Sequence, residues 1–297
     1  MTAVPVGTPG VPAAGVPLGT PKRRGLLARL VSTPQTAVAA ALLVVVVVAV
    51  VAAPLIVPAP DAIDPNHAFA APSLGHPFGT DELGRDLLSR MLYGGRYSLG
   101  IAGGATAIAM LLGVVWGFVA AESGGWAGEL LMRAVDVVMA VPIVLFGLIL
   151  VAAFGASATT LALIIGMLLS PGTARIARAA VLAELKSDYC LAAVAAGVPR
   201  ARLLFGELLP NAGPVLIARA SLVAADAVMI EASLSFLGLG IAPPAASWGT
   251  LLQQGYTNIF SSLSYVVCPG AVIFVAIWVF NTLGDRLQTI LDPRSAR

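Results

Sequence analysis

Apolar residues in this chain do not alternate with polar ones; they run together in blocks as long as a bilayer is thick. A helix needs about 20 mainly apolar residues to cross the hydrocarbon core. The block from Thr36 to Val57 reaches that length without a charge and holds an unbroken valine run, Val44 to Val48. Ser98 to Ala121 forms a second block. Val137 to Ala174 is also free of charge but too long for one crossing, and the small polar patch from Gly155 to Thr160 divides it into a third and a fourth. A fifth runs from about Ala212 to Leu237 and carries Arg219, Asp226 and Glu231; a sixth runs from about Tyr265 to Leu283. The pattern predicts an all-α, polytopic membrane protein with six transmembrane helices.

Composition agrees. Hydrophobic residues make up 58% and charged residues 11% of 297, where soluble domains carry roughly a quarter charged. A water-soluble enzyme is excluded, and lipid is an expected partner. The net charge of +2 gives no field that would attract nucleic acid. The first block follows Arg23-Arg24, yet it is longer than the 7–15 residues of a cleaved signal core, so a retained anchor helix is expected.

The distribution of Lys and Arg sets the orientation. With the N-terminus inside, thirteen fall in cytoplasmic segments and only Arg85, Arg90 and Arg96 outside, beside Asp61, Asp64, Asp81, Glu82 and Asp86. Both termini are therefore cytoplasmic. The chain divides into a Pro/Gly-rich tail over 1–35, expected to be disordered, and a first helix over 36–57. An external loop over 58–95 follows, then a five-helix core over 96–285 and a tail over 286–297. The core includes a long cytoplasmic loop over 183–210.

Candidate chemistry is sparse. His67 and His76 lie in the external loop without further ligands at metal spacing, and Cys190 and Cys268 stand far apart, so no metal site is expected. A phosphate-cradling loop needs a Gly-Lys pair, and the only lysines, Lys22 and Lys186, follow Pro21 and Leu185. No H-E-x-x-H or G-x-S-x-G is present, and no histidine lies in a span. An intramembrane enzyme therefore lacks its constellation. A secondary transporter would lead one to expect an internal repeat, and none is visible.

The cytoplasmic loop carries most information. Ser187 or Asp188 can cap a helix over the Ala-rich run from Tyr189 to Ala196, Gly197 can end it in a left-handed conformation, and Pro199 suits the start of a second short helix ending at Pro210. So apolar an exposed helix suggests a docking element. Ala192-Ala193, Gly197 and Leu209-Pro210 resemble the "EAA…G…LP" loop of permeases from binding-protein-dependent ABC importers, with Leu191 at the leading acidic position and Glu207 two before the Leu-Pro pair. Two longer stretches narrow the resemblance. One is Phe78-Gly79-Thr80-Asp81-Glu82-Leu83-Gly84-Arg85-Asp86, with Ser89-Arg90, Tyr93-Gly94 and Arg96 after it. The other runs from Glu231 through Gly240 to Pro243-Pro244 and Ser247-Trp248-Gly249. Both are similar to the C-type permease subunit of dipeptide and oligopeptide importers.

That resemblance implies a type I importer permease in the bacterial plasma membrane. It implies a second homologous permease, two cytoplasmic ATPase subunits that hold the ATP and Mg²⁺, and an extracytoplasmic peptide-binding protein. It leaves open dipeptides, longer peptides, glutathione and nickel complexes as cargo. The loop residues expected to couple to the ATPase are Asp188, Tyr189, Cys190, Ala192, Ala193, Gly197 and Pro210, with Cys190 at the contact itself. Gly79, Asp81, Gly84, Arg85 and Asp86 form the external family segment. Arg219, Asp226 and Glu231 are candidates for the pathway or the permease interface. With a rise of 1.5 Å per residue, Asp226 lies about 21 Å into the fifth span, where a lipid-facing carboxylate is costly. Arg219 shares its face, but about 10 Å of rise speaks against a direct ion pair. Trp248 is expected at the interface, and Gly100, Gly104, Gly113 and Gly117 in close helix packing.

Overall fold

The structure, a computed structural model, describes residues 29–291; the tail over 1–35 lies mostly, and the tail over 286–297 partly, outside them. Among the described residues the secondary structure is helical apart from one isolated bridge, Thr80 to Asp86. Helix α1, Pro34–Val51, opens with Pro34 at its first turn and with Thr33 accepting from the Thr36 amide. It stops at Ala52 rather than reaching Val57, and a separate turn, Ala53–Ile56, follows. Pro54 explains the stop: it has no amide to donate to Val50 and its ring crowds that carbonyl. Ala39 of α1 packs with Val279 and Leu283, while Val44, Val45 and Val48 are exposed, a face suited to lipid.

Helix α2, Leu87–Ser123, starts eleven residues before the expected Ser98, because Asp86 accepts from the Ser89 amide at 2.8 Å and caps it. The third apolar block is not one straight helix. It begins inside α3, Gly125–Ala140, which starts twelve residues before Val137 and carries Glu129, Arg133 and Asp136, and continues into α4, Ile143–Phe154, the two helices meeting at 84°. Pro142 is the cause: Val141 before it is held extended at φ −85°, ψ 130°. Ser157 then caps α5, Ala158–Glu184.

Helix α6, Asp188–Ala195, lies in the cytoplasmic loop. The second loop helix does not end at Pro210. Arg200–Leu203 passes through a wide turn, Leu204–Leu208, directly into α7, Leu209–Leu234. The Leu209 amide reaches back five residues to the Leu204 carbonyl, and this wider turn gives the Pro210 ring room against the preceding carbonyls. A second such turn, Ser235–Leu239, ends at the outer side where Gly238 adopts φ 89°. Helix α8, Trp248–Thr257, folds back, and α9, Ser264–Leu291, returns.

Among the described residues five helices are long and apolar enough to span a membrane: α1, α2, α5, α7 with its flanking turns, and α9. The bent α3–α4 pair is apolar enough to be a sixth, counted as one broken span. The core forms where α2, α5 and α7 meet, around Ile101, Ala105, Leu161, Ile165, Val223 and Ala227. Close approach of α2 to α5 is tightest at Gly113 and Gly117, with a Cβ on Gly104 3.3 Å from Ala162 Cβ as a looser third contact. A Cβ on Gly113 would lie 2.5 Å from Thr173 Cβ and one on Gly117 2.7 Å from Ala177 Cβ, whereas Gly100 faces open space.

Candidate coupling and translocation sites

The cytoplasmic loop is held as a rigid projection. At the end of α6, Gly197 takes φ 75°, its amide donates to Val194 O and the next to Ala193 O, closing the helix as a left-handed cap does. Ser187 stands at the start, but its hydroxyl donates back to the Glu184 carbonyl at 2.6 Å instead of capping. Tyr189 Oη donates to Glu184 at 2.6 Å and accepts from Asn211 Nδ2 at 2.9 Å, so one phenol joins the end of α5 to the start of α7. Burial and the Glu184 carboxylate push that phenol above its ordinary pKa, which keeps it protonated and able to donate.

Helix α6 has two faces. Cys190 is fully buried with Val181, Leu203 and Leu208. It faces its own chain, so it is not the contact residue the sequence suggests; Ala193 is half-buried beside it. Asp188, Tyr189, Leu191, Ala192, Val194 and Gly197 are exposed, as is Pro210 in the first turn of α7, while the exposed Phe205 lines the groove between α2 and α7. Leu191 and Val194, three positions apart on α6, are 57% and 58% exposed and give the projection an apolar face.

In the membrane region, Arg219 and Asp226 do meet: Nη2 and Oδ2 are 3.9 Å apart. The expectation against a pair counts backbone rise and omits the reach of the arginine side chain, which closes most of that distance. Both residues line a cavity of about 340 Å³ at the α3–α4 elbow, with Pro142, Phe146, Leu168 and Gly172. Glu231 is elsewhere. It is fully buried inside its own chain and accepts from Ser98 Oγ at 3.1 Å and Ser235 Oγ at 2.7 Å. Ser98 Oγ accepts in turn from the Trp248 amide, and Ser235 Oγ from Ser247 Oγ. This satisfied network anchors α8 to α2 and α7, so Glu231 belongs to no open face. Trp248 is likewise an internal anchor, 1% exposed with Nε1 donating to Met91 O, rather than an interfacial residue.

Outside, the GTDELGRD segment folds around Asp81. This carboxylate is fully buried and accepts from Arg85 Nε at 2.6 Å, Arg90 Nη1 at 2.7 Å and the amides of Leu83 and Arg85. Gly79 and Gly84 take φ 82° and 74°, and a Cβ on Gly84 would run into the Asp64 carbonyl. Asp86 caps α2 and pairs with His76.

A chain with this arrangement can be compared with known proteins. Residues 113–297 match the family described as "Binding-protein-dependent transport system inner membrane component". This chain belongs to that family. It is a multi-pass protein of the inner membrane. The permease is 39% identical over 216 residues to the di/tripeptide transport system permease protein DppC of Pseudomonas aeruginosa, covering 73% of this chain and 71% of that one. It is 36% identical over 245 residues to a protein named as a peptide permease in Brucella suis, covering 82% and 81%. Two inward-facing structures of the MetNI methionine ABC transporter share its fold, both at TM-score 0.56. They are 15% and 17% identical, and cover 66% and 68% of this chain and 93% and 96% of theirs.

Within this permease the five external motif residues gather into one clamp, and the loop residues into one projection. Three further residues join the clamp: Arg90, which stands in the sequence motif without a role, and Gln254 and Tyr265, which lie outside it. Arg90 also donates to Gln254 Oε1 at 3.1 Å and to Tyr265 Oη at 3.3 Å, tying the segment to α8 and α9. Arg90 is visible as a second arginine at a fixed distance after Asp81, but Gln254 and Tyr265 carry no local signal.

Proposed function

We propose that this chain is one permease subunit of an ATP-driven importer and forms, with a second homologous permease, the path by which dipeptides or oligopeptides cross the plasma membrane. Two cytoplasmic ATPase subunits would bind ATP and Mg²⁺, and an extracytoplasmic peptide-binding protein would deliver cargo. In this reading the chain is not itself an enzyme. The observation that carries it is the apolar exposed face of α6, Leu191 and Val194, rigidly joined to α5 and α7 through Tyr189. A partner seated there can drive both helices at once. The external clamp gives a firm outer surface on which a soluble binding protein can rest.

The test has two arms. Tagged protein purified in mild detergent should retain an ATPase subunit, and retention should fall when Leu191 and Val194 are both replaced by Asp. Cells carrying the intact system should accumulate labelled dialanine, and cells lacking this chain should not. Uptake that collapses with the proton gradient but survives loss of the ATPase would make this an ion-driven carrier instead.

A further inference from the structure

The elbow cavity is set apart from the larger groove in the membrane region by holding two opposite charges, Arg219 and Asp226. The larger groove between α2 and α7, about 880 Å³, is walled by residues such as Leu111, Val115, Phe118 and Ile217 and suits an acyl chain or another helix. The elbow cavity instead presents one cation and one anion. Arg219 and Asp226 are 16% and 41% exposed, so both heads are open to it. Their separation of 3.9 Å is too long for a hydrogen bond. Arg219 Nε is buried with no hydrogen-bond partner, and among the described residues Asp226 makes no hydrogen bond. Each group satisfies the other's charge only partly.

The backbone adds a second, independent pointer. The break at Val141-Pro142 exposes the last carbonyls of α3 and the first amides of α4; Phe146 N, the fourth from the break, is bonded back to Pro142 O. Broken helix ends at membrane depth persist where they line a cavity, and they present partial negative and positive charge there. Both kinds of charge therefore appear twice around one hollow.

We propose that this elbow cavity binds the two charged ends of a zwitterionic solute, the free α-ammonium and α-carboxylate of a short peptide. The ammonium would replace Arg219 as the partner of Asp226, near the carbonyl end of α3. The carboxylate would take the Arg219 guanidinium and the free amides of α4. A lone cation is repelled by Arg219 and a lone anion by Asp226, whereas a zwitterion satisfies both. An extended dipeptide spans about 7 Å and fits the volume, which lies at the small end of ligand pockets. When the site empties, the two residues fall back on each other, so neither charge is stranded in the membrane. The inference rests on the peptide-import reading and gives it a site.

The test is protection of a cysteine on the cavity wall. Met139→Cys is placed in a Cys268→Ser background, and the complex with its ATPases is held in nanodiscs without binding protein. Dialanine should slow maleimide modification of the new cysteine several-fold, and N-acetyl-dialanine amide, which has neither charge, should not. Asp226→Asn and Arg219→Gln should each abolish protection. The exchange of the two, Arg219→Asp with Asp226→Arg, should restore it. Equal protection by the blocked peptide, or none by dialanine, overturns the inference even if the variants assemble poorly, because that comparison uses the otherwise native protein. Cells that still import dialanine in that case keep the peptide reading; cells that never import it lose that reading as well.

Discussion

Arg90 Nη1 donates to Asp81 Oδ2 at 2.7 Å, with both side chains essentially out of contact with solvent. This bond joins the external loop to α2, and the same guanidinium reaches Gln254 on α8 and Tyr265 at the head of α9. The GTDELGRD segment is thus a hub at which three helices and the loop are fixed together. Its chemistry is positional: the Asp81 carboxylate accepts four donors, and Gly79 and Gly84 let the backbone wrap it.

Removing one partner of a buried, hydrogen-bonded ion pair typically costs about 3–5 kcal/mol. Arg90→Met should therefore lower the thermal unfolding temperature in detergent strongly and reduce the amount of protein recovered. Arg133→Met is the control. Its pair with Asp136 is 4.0 Å long and open to solvent, and such pairs contribute about 0–1 kcal/mol. Equal effects from the two would show that the hub carries no stability.

Gly197 has open space around it but a φ of +75°. A β-branched residue there strains only the backbone, by about 1–3 kcal/mol. Gly197→Val should insert into the membrane normally while peptide-stimulated ATP hydrolysis falls, because α6 is redirected. Gly197→Asn, which tolerates the left-handed region, should keep most of the stimulation. Full stimulation in the valine variant would mean that the loop turn transmits nothing.

Gly117 and Gly100, both on α2, predict opposite tolerance to a side chain. Gly117→Val must push against Ala177 and the α5 backbone, and overpacking of this kind costs about 1–3 kcal/mol or more. Gly100→Ala meets nothing and should be neutral or raise stability by about 0.5–1 kcal/mol through helix propensity. Differential scanning fluorimetry of the two variants separates them; a stable Gly117→Val protein would mean that α2 and α5 do not approach this closely.

Cysteine labelling reports on the loop faces. The native Cys190 is fully buried and should resist a membrane-impermeant maleimide from either side in the folded complex. Leu191→Cys, one position along, should react from the cytoplasmic side and be protected when the ATPase is bound. Labelling of Leu191→Cys from outside intact cells would reverse the orientation of the whole chain.

What the sequence determined by itself is local. The apolar blocks had to be helices of bilayer length because an unpaired backbone is intolerable in lipid, and the Lys/Arg bias orients them. Gly197 and Gly238 end helices where the next residues cannot continue them. The elbow at Pro142 is also a local signal, since the ring sets Val141 extended, but its angle of 84° depends on what α3 and α4 pack against. Only the tertiary structure decides which polar groups meet. Arg90 finds Gln254 and Tyr265 across 164 and 175 positions, and Trp248 finds Ser98 across 150. Glu231 looks like a pathway charge along α7 until α8 folds back and encloses it with serines, and Cys190 looks like a docking residue until α6 turns it inward. Arg219 and Asp226 share a helix face by sequence, yet whether they touch depends on the rotamer the elbow cavity leaves open. Periodicity fixes the face a side chain occupies; the neighbour on that face comes from distant chain, and no local pattern encodes it.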